Sequence, residues 1–389
     1  MKLTCERAAL QEAVSLAGVL ASARSAKPIL QNIKLEAKGG YLDVLATDLE
    51  VGIRYRVENL EIEEEGETAV NAARLLAIVR ESQDDKLLIE VTDKTFVIKG
   101  SDSEFDLPTD EAGDFPVIPD FEEKGQVKIG RGELADMVNK TSFAAASEST
   151  RYALNGVHVV FGTHKMEMVA TDGRRLAYSK CKAAGAESEM GAVIIPTKAL
   201  LQFLRLPSGK DAGEEVAEGE EGKKPTKKSK KSGGEGALIS VKDNQVRLQC
   251  GAGLVVSQLV EGQFPPYQEV IPKDSNKKAT LQREAFLSAV RRAALLTTEE
   301  ARSVKLSFAG SKVTLKSQAP EAGTATVELG VKYEGEGIEI AFNPTFLTEA
   351  LRMMADDEVT MEMSEPSRPA VIRGEGDYLY VVMPINVMD

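Results

Sequence analysis

The stretch Lys165–Ala177, KMEMVATDGRRLA, joins a strand pattern to a turn pattern. Apolar residues at Met166, Met168 and Ala170 alternate with the residues between them, which predicts a strand with one buried face. In the Thr-Asp-Gly that follows, the Asp172 side chain can accept hydrogen bonds from the nearby backbone, and glycine can adopt a positive φ. The stretch therefore predicts a strand that ends in a tight turn, with two arginines and a leucine at the corner.

The same Ala-Thr-Asp phrase occurs earlier in the chain, within residues 42–53, LDVLATDLEVGI. In both places it follows an apolar alternating segment, so it lies at the end of a predicted strand. The repetition indicates an internal duplication.

The length of 389 residues predicts two or three domains, and a composition of 42% hydrophobic and 28% charged residues is typical of a soluble globular protein. The apolar runs are too short for a membrane span, and the N-terminus lacks the apolar region of a signal peptide. We therefore expect a cytoplasmic protein without membrane contact. The net charge of −13 excludes a uniformly basic surface but not a local basic one.

The cysteine and histidine content argues against a metal site. Three cysteines, Cys5, Cys181 and Cys250, lie far apart in the sequence, and only two histidines occur. An odd number of cysteines without CxxC spacing suits a reducing compartment. We expect no disulfide, no metal ion and no cofactor.

Six predicted helices are spaced regularly along the chain. They begin near residues 7, 72, 131, 197, 283 and 344, so the members of successive pairs lie 65, 66 and 61 residues apart. Extended segments separate them, and two connectors rich in Pro and charge divide the chain into three rounds. The predicted helices are Cys5–Ala21, Ala72–Ser82, Glu133–Ala146, Thr197–Leu206, Arg283–Leu296 and Thr345–Met354. This pattern predicts an α+β fold of three similar domains, each with two helices packed on antiparallel sheets.

We place the domains at residues 1–124, 128–265 and 266–389. The segment from about 208 to 236 interrupts the second domain with seven acidic residues, seven basic residues and no apolar periodicity. Such a segment is typical of a disordered charged loop.

Several motifs together resemble the bacterial β sliding clamp family, the processivity subunits of DNA polymerase III. They are KPILQNI near the N-terminus, RYALNGV, VATDGRRLA, FPPYQEVIP, and YLYVVMPI near the C-terminus. The resemblance covers the chain apart from the charged loop. It implies a DNA-clamp fold without catalytic activity, in which two chains join head-to-tail into a closed ring around duplex DNA. Six helices spaced about 9 Å apart would enclose almost no pore, whereas twelve leave roughly 24 Å, so only a homodimer could pass a duplex.

The resemblance also implies a peptide-binding cleft between the second and third domains. Through it the family tethers the DNA polymerase III catalytic subunit, the clamp-loader complex and other proteins with a clamp-binding motif. Two positions depart from the family pattern: Arg174 stands where His is frequent, and Glu269 where a basic residue is common, which makes the rim more acidic. The implied cleft residues are Leu154, Thr171, Gly173, Arg174, Arg175, Leu176, Pro265, Val270, Asn343, Phe346, Val381, Val382, Met383, Pro384 and Ile385.

Further residues are implied at the DNA and at the dimer seam. The residues implied to face sequence-independent duplex DNA are Arg24, Arg80, Lys198 and Arg205, and those implied at the seam are Phe105, Leu295 and Leu296. Lys198 and Arg205 are seven residues apart, hence on one helical face. The family pattern is not kept at Ala73 and Glu148, where basic or amide residues are more usual.

Each of these assignments has an ordinary alternative. The cleft residues could simply pack a domain junction, the cations could be solvated surface groups, and the seam leucines could belong to a core. The lysines of the charged loop could contact DNA or remain solvated. An enzyme using Asp172 and Arg174 lacks an accompanying nucleophile, metal cluster or phosphate-binding loop in the sequence. A peptide-binding scaffold that never meets DNA leaves six evenly spaced helices unexplained.

Overall fold

The computed structural model describes residues 1–21, 25, 27–92, 94–119, 126–147, 153–184, 191–207, 236–298, 302–374 and 376–385. Within these ranges the α-helices are α1 (Arg7–Gly18), α2 (Ala72–Glu81), α3 (Arg131–Thr141), α4 (Thr197–Arg205), α5 (Arg283–Ala293) and α6 (Pro344–Met353). The predicted helix starts are confirmed. Cys5, predicted as helical, instead pairs with Leu87 in a β-ladder, because the helix begins only at Arg7.

The strands of the described ranges are short and follow one another closely. The first thirteen are β1 (Lys2–Glu6), β2 (Asn32–Lys38), β3 (Tyr41–Thr47), β4 (Val51–Val57), β5 (Glu61–Glu64), β6 (Gly66–Asn71), β7 (Lys86–Thr92), β8 (Thr95–Lys99), β9 (Glu104–Asp110), β10 (Val127–Gly130), β11 (Gly156–Gly162), β12 (Lys165–Thr171) and β13 (Arg175–Lys182). The others are β14 (Ala192–Pro196), β15 (Gly236–Lys242), β16 (Gln245–Cys250), β17 (Gly253–Gln258), β18 (Lys277–Gln282), β19 (Val304–Ala309), β20 (Lys312–Ala319), β21 (Gly323–Gly330), β22 (Lys332–Glu334), β23 (Ile338–Phe342), β24 (Glu358–Met363), β25 (Ala370–Arg373) and β26 (Leu379–Val382).

The chain forms two compact units. The first contains Met1–Leu134, Ala184–Ala186 and Lys198–Leu259, and the second contains Ala135–Ala183, Glu187–Thr197 and Val260–Asp389. The first unit holds a thirteen-stranded sheet in the order β10-β15-β16-β17-β4-β3-β2-β6-β9-β8-β7-β1-β5. The second holds a nine-stranded sheet, β14-β11-β12-β13-β26-β25-β24-β18-β22, and a four-stranded sheet, β21-β20-β19-β23. These ladders are antiparallel, which confirms the predicted antiparallel sheets.

In the first unit, α1 and α2 pack together, and α1 also covers strands β3 and β4. The apolar stripe predicted for α1, Leu10, Val14 and Ala17, is fully buried. On α2, Leu75 and Val79 are fully buried as well. The 3.6-residue period of the apolar residues thus places one face of each helix in the core. In the second unit α5 and α6 pack together in the same way.

Strand β12 has Met166, Met168 and Ala170 fully buried, as the alternation predicts. Val169, on the opposite face, is also fully buried, so the prediction of a single buried face is wrong at this end of the strand. The reason is a second apolar cluster, in which Tyr267 covers Val169.

Two ladders join strands that are distant in sequence. In the first unit β17 pairs with β4, and in the second unit β13 pairs with β26. Each ladder therefore joins strands from two of the three predicted domains, and each compact unit contains parts of two of them.

Candidate peptide-binding site

The turn between β12 and β13 is held by its own side chains. Asp172 Oδ1 accepts hydrogen bonds from the backbone N–H of Arg174 at 2.9 Å and of Arg175 at 3.1 Å. Thr171 Oγ1 donates to the carbonyl of Arg175 at 2.5 Å and accepts from Gly173 N at 3.1 Å. Gly173 has a φ of 85°, which is strained for any residue with a Cβ. The roles predicted for the aspartate and the glycine are confirmed.

Arg175 fastens this turn to the rest of the second unit. Its guanidinium pairs with Asp172 at 3.0 Å and with Glu349 of α6, and it donates to the Phe143 carbonyl at 2.8 Å. It also lies over the Phe346 ring, 4.6 Å from the centroid. Burial acts to lower the pKa of Arg175, but the hydrogen bond to Glu349 and the charges of the neighbouring acidic groups together outweigh it, so the pKa is raised. Only 10% of the Arg175 side chain is exposed, so this arginine stabilises the turn rather than contacting a ligand. The exposed cation at the rim is Arg174.

The last strand supplies one wall of the site. Val381 of β26 pairs with Leu176 of β13, and both side chains are buried. The chain then continues alongside the turn, because Met383 N donates to the carbonyl of Arg174 at 2.9 Å. The Met383 side chain is 40% exposed, so the wall presents a flexible apolar group.

The facing wall comes from Pro265–Val270, which includes a 3₁₀ turn at Tyr267–Glu269. Tyr267 is buried against Val169 and Leu176, which anchors the segment. Val270 is left 51% exposed, and Glu269 is exposed beside it. This wall therefore presents one apolar side chain and one carboxylate to the space between the walls.

An aromatic cluster supports Tyr267 from behind. His158 stacks on Phe264 with 4.7 Å between ring centroids and meets the Tyr267 ring edge-on at 6.1 Å. The Tyr267 hydroxyl lies 3.5 Å from Glu167 Oε2. His158 Nδ1 is buried without a hydrogen-bond partner in the described part of the chain. Burial lowers the pKa of His158, while the nearby Glu167 carboxylate opposes that effect.

The walls enclose a cavity of about 280 Å³ with a mainly apolar surface. Its lining is Leu154, Thr171, Gly173, Arg174, Arg175, Leu176, Pro265, Pro266, Tyr267, Glu269, Val270, Val381 and Met383. Ten of these residues were predicted for the cleft. Sequence reasoning missed Pro266 and Tyr267 as lining, although both belong to the FPPYQEVIP string. An apolar slot with Arg174 and Glu269 at its edges suits a short peptide with apolar anchors.

The remaining five cleft residues lie outside this lining, namely Asn343, Phe346, Val382, Pro384 and Ile385. The Asn343 side chain caps α6, accepting a hydrogen bond from its first turn at 2.9 Å. The Phe346 ring lies under Arg175, and Val382 is fully buried. Pro384 and Ile385 continue past Met383, and Ile385 N donates to the carbonyl of Ala341 at 2.8 Å. Asn343, Phe346 and Val382 therefore support the walls from beneath.

The residues predicted to face DNA have exposed side chains where the structure describes them. Arg80 lies in the last turn of α2, and Lys198 and Arg205 lie on the exposed face of α4. Lys198 forms an ion pair with Asp48. Arg24 lies outside the described residues, as do residues 208–235 of the charged loop.

The residues predicted for a dimer seam are also accessible. Phe105 is 41% exposed and Leu295 is 77% exposed, while Leu296 is half-buried. Phe105 lies on β9, and Leu295 lies in the 3₁₀ turn Ala294–Leu296 that follows α5. A leucine exposed to this extent contributes little to the core of its own unit.

Three domain descriptions of one family match the chain in succession. The N-terminal domain of the DNA polymerase III beta subunit matches residues 1–119, the central domain matches residues 128–266, and the C-terminal domain matches residues 268–386.

Known proteins resemble the chain over its whole length. The Beta sliding clamp of Caulobacter vibrioides (strain NA1000 / CB15N) is 34% identical over 398 residues, and that of Pseudomonas putida (strain KT2440) is 30% identical over 390 residues, each covering 100% of both chains. Among solved structures, the DNA polymerase sliding clamp from Pseudomonas aeruginosa with ligand is 28% identical with a TM-score of 0.88. The clamp from Caulobacter crescentus is 34% identical with a TM-score of 0.85, and both comparisons cover 100% of each chain.

The fold and these matches define a three-domain clamp that serves DNA polymerase. The chain belongs to the DNA polymerase III beta subunit family, the beta sliding clamps. It is a non-catalytic processivity factor of DNA replication, and DNA and the polymerase are its partners. Among the described helices, none has both the length and the apolar character needed to cross a membrane.

Proposed function

We propose that two copies of this chain close head-to-tail into a ring around duplex DNA. The exposed Phe105 on one protomer would meet Leu295 and Leu296 of the other. Support comes from free sheet edges, because β21 is an edge strand and β9 pairs with β6 only at Ala69 and Val70. A strand with a free edge can extend a sheet into a second copy.

Within the ring, we propose that Arg24, Arg80, Lys198 and Arg205 contact phosphates without reading sequence. The exposed positions of the last three support this role. A protein held by ring closure needs only weak phosphate contacts, since release requires the ring to open. The chain's net charge of −13 disfavours binding of DNA to the outer surface.

We propose that the 280 Å³ cavity takes the apolar anchors of clamp-binding peptides. The peptides would come from the DNA polymerase III catalytic subunit, the clamp-loader complex and other replication or repair proteins. The observation that carries this proposal is the exposure of Val270 and Met383 in a mainly apolar cavity whose lining also includes the buried Leu176, Tyr267 and Val381. The proposed domains are residues 1–124, 128–265 and 266–389, which puts the cavity between the second and third. Because the family acts in DNA replication, we place the protein in the cytoplasm.

Removal of residues 383–389 tests the cavity. The truncation deletes Met383, one wall, and leaves β26 paired with β13 and β25. Buried anchors usually carry most of a peptide's binding energy, so affinity for a labelled pentapeptide of the pattern QLxLF should fall at least about 100-fold. Fluorescence anisotropy measures the affinity, and sedimentation measures the dimer. Unchanged affinity in a dimeric truncated protein refutes the assignment, and loss of the dimer shows that the tail is structural.

Ring closure is tested on DNA. Protein loaded on a nicked circular plasmid should be retained through gel filtration and should be lost when the plasmid is linearised, since it can slide off an end. Equal loss from both forms would refute a topological link. Glu58→Gln, an exposed change outside the cavity and outside the residues proposed for the seam and for DNA, serves as a control and should behave like the parent.

A further inference from the structure

The first compact unit contains a second turn with the same hydrogen bonds as the turn between β12 and β13. Thr47 Oγ1 donates to the carbonyl of Val51 at 2.9 Å and accepts from Leu49 N at 3.0 Å. Asp48 Oδ1 accepts from Glu50 N at 3.0 Å and Val51 N at 2.8 Å. Leu49, at the position of Gly173, has a φ of 81°. The duplication visible in the sequence therefore extends to individual atoms.

The strand beside this turn is repeated as well. β17 pairs with β4 as β26 pairs with β13. Gln258 N donates to the carbonyl of Glu50 at 3.2 Å, just as Met383 N donates to that of Arg174 at 2.9 Å. Gln258 and Glu50 thus occupy the positions of Met383 and Arg174, two residues of the proposed peptide cavity.

A smaller cavity of about 140 Å³ lies at this second turn. Gly52 stands at the position of Leu176, and a Cβ on it would lie 2.9 Å from Ile118 Cγ2, so Ile118 fills the space next to this strand. Val117 at the rim is 89% exposed and Leu49 is 46% exposed. The cavity is therefore open, about the size of one aliphatic side chain, and lined by both apolar side chains and polar groups.

The lining carries one charged residue, the exposed Glu50, among the side chains that the structure describes there. Gln258 adds an amide that can hydrogen-bond to a peptide backbone. Glu50, an anion, stands where the peptide cavity has the cation Arg174, and the polar Gln258 stands where it has the apolar Met383. The site should therefore prefer a ligand with a positive charge next to its apolar group.

Leu49 gives an independent reason to consider a binding role. A leucine with a positive φ has a less favourable backbone conformation than a leucine in an ordinary one. Such strain is found mainly where the surrounding structure holds a residue in place for binding or catalysis. Here it holds an apolar side chain at the rim of an open cavity.

We propose that this cavity is a second docking site, which takes one aliphatic side chain of a peptide with Lys or Arg beside it. The proposal rests on the proposed peptide-binding role of the larger cavity, of which this site is a structural copy. Its smaller volume and reversed charge give it a different ligand, so the two sites would bind different segments.

Methyl NMR on the full-length protein, labelled at Ile, Leu and Val methyl groups, tests the proposal. The probes are acetyl-Gly-Lys-Leu-Gly-amide and its counterpart with Glu in place of Lys. We expect saturable shifts at Val117 and Ile118, with a Kd on the order of 1 mM for the Lys peptide and about fivefold weaker binding of the Glu peptide. The absence of a saturable shift at both residues up to about 10 mM peptide, roughly ten times that Kd, would overturn the proposal.

Two exposed positions provide variants that leave the core intact. Glu50→Lys should reverse the charge preference, and Val117→Ser should weaken both peptides about threefold. Glu81→Lys, an equally exposed change in the same unit, is the control and should leave the preference unchanged. A preference that survives Glu50→Lys would contradict the assignment.

The larger cavity is followed in the same spectra through Val270 and Val381. A QLxLF pentapeptide that shifts those methyls, with no peptide shifting Ile118, would retain the proposed function and reject the second site. Shifts at Ile118 from the Lys peptide, without any from QLxLF at Val270, would reject the proposed function and retain the second site.

Discussion

The Arg175 guanidinium of β13 is paired with the Glu349 carboxylate of α6, and this pair joins the turn beside the cavity to a core helix. The arginine is 10% exposed and the glutamate 35% exposed, so the pair is largely shielded from water. Screening by solvent is therefore weak at Arg175 and stronger at Glu349.

Replacing one member of this pair should destabilise the second unit. Arg175→Ala removes the cation shared by Asp172 and Glu349 and the contact with the Phe346 ring. Because both carboxylates keep some contact with water, we expect a loss of about 1.5–3 kcal/mol. Arg174→Ala, its exposed neighbour, should cost less than about 0.5 kcal/mol. Calorimetry measures both. Equal melting temperatures for the two variants would show that Arg175 does not stabilise the second unit.

The strained turn of the first unit predicts a stabilising substitution. Leu49→Gly places glycine at a φ of 81°, as Gly173 already is at 85°. Relief of strain, less the entropy of glycine, should raise the stability by about 0.5–1 kcal/mol. Gly173→Ala is the reverse test and should destabilise by about 1–2 kcal/mol. A lower melting temperature for Leu49→Gly would contradict the expected strain.

The proposed seam predicts a change in oligomeric state. Leu295→Ala combined with Leu296→Ala should weaken self-association about 100-fold or more, because apolar anchors dominate interfaces. Sedimentation velocity at micromolar concentration measures this. Leu201→Ala, another exposed leucine, is the control. A double variant that dimerises like the parent would remove these leucines from the seam.

The charged loop should be dispensable for folding. Pro207 and Gly236, the described residues that flank it, line one cavity of the first unit, so a short linker can join them. Replacing residues 209–235 by a Gly/Ser linker of about six residues should leave melting temperature and self-association unchanged. A fall of many degrees would contradict this. Salt-dependent DNA binding of the same variant decides between DNA-contacting and solvated lysines.

His158 predicts how stability depends on pH. Burial lowers its pKa below the usual value of about 6.5, so the unfolded chain takes up the proton first as the pH falls. Above the pKa of the unfolded chain, about 6.5, the neutral His158 makes its full contribution to the free energy of unfolding. That contribution is lost as the pH falls from this value towards the lower pKa of the folded protein. His158→Gln should flatten the dependence of melting temperature on pH between about pH 7 and 5. The exposed His164→Gln is the control, and equal slopes in both variants would contradict the prediction.

Much of the fold follows from local sequence pattern. The helix starts, the buried Met166 and Met168, and the hydrogen bonds of Asp172 depend on residues close together in the chain, so periodicity and turn chemistry reveal them. Burial of Val169 depends on Tyr267, almost a hundred residues away, and no local pattern reports it.

The sequence predicted which strand and turn residues line the candidate site, but not which residues lie behind that lining. The residues of the turn between β12 and β13 line the cavity as expected, whereas Asn343 and Phe346 lie outside its lining. Helix α6 affects the cavity indirectly, because its residues Phe346 and Glu349 hold the Arg175 side chain of β13. The unusual φ of Leu49 could have been found by aligning the two Ala-Thr-Asp phrases, since its counterpart is a glycine.

The ladders between β17 and β4 and between β13 and β26 have a consequence for fragments of this chain. A fragment that ends near residue 124 would lack β17 and leave the β4 edge, Val51–Val57, open to solvent. An open, largely apolar strand edge is a template for aggregation. The repeated segment of the sequence and the segment that can fold alone are therefore different parts of the chain. The ends of a soluble fragment should be chosen so that both strands of each ladder are kept, rather than at the boundaries of the repeats.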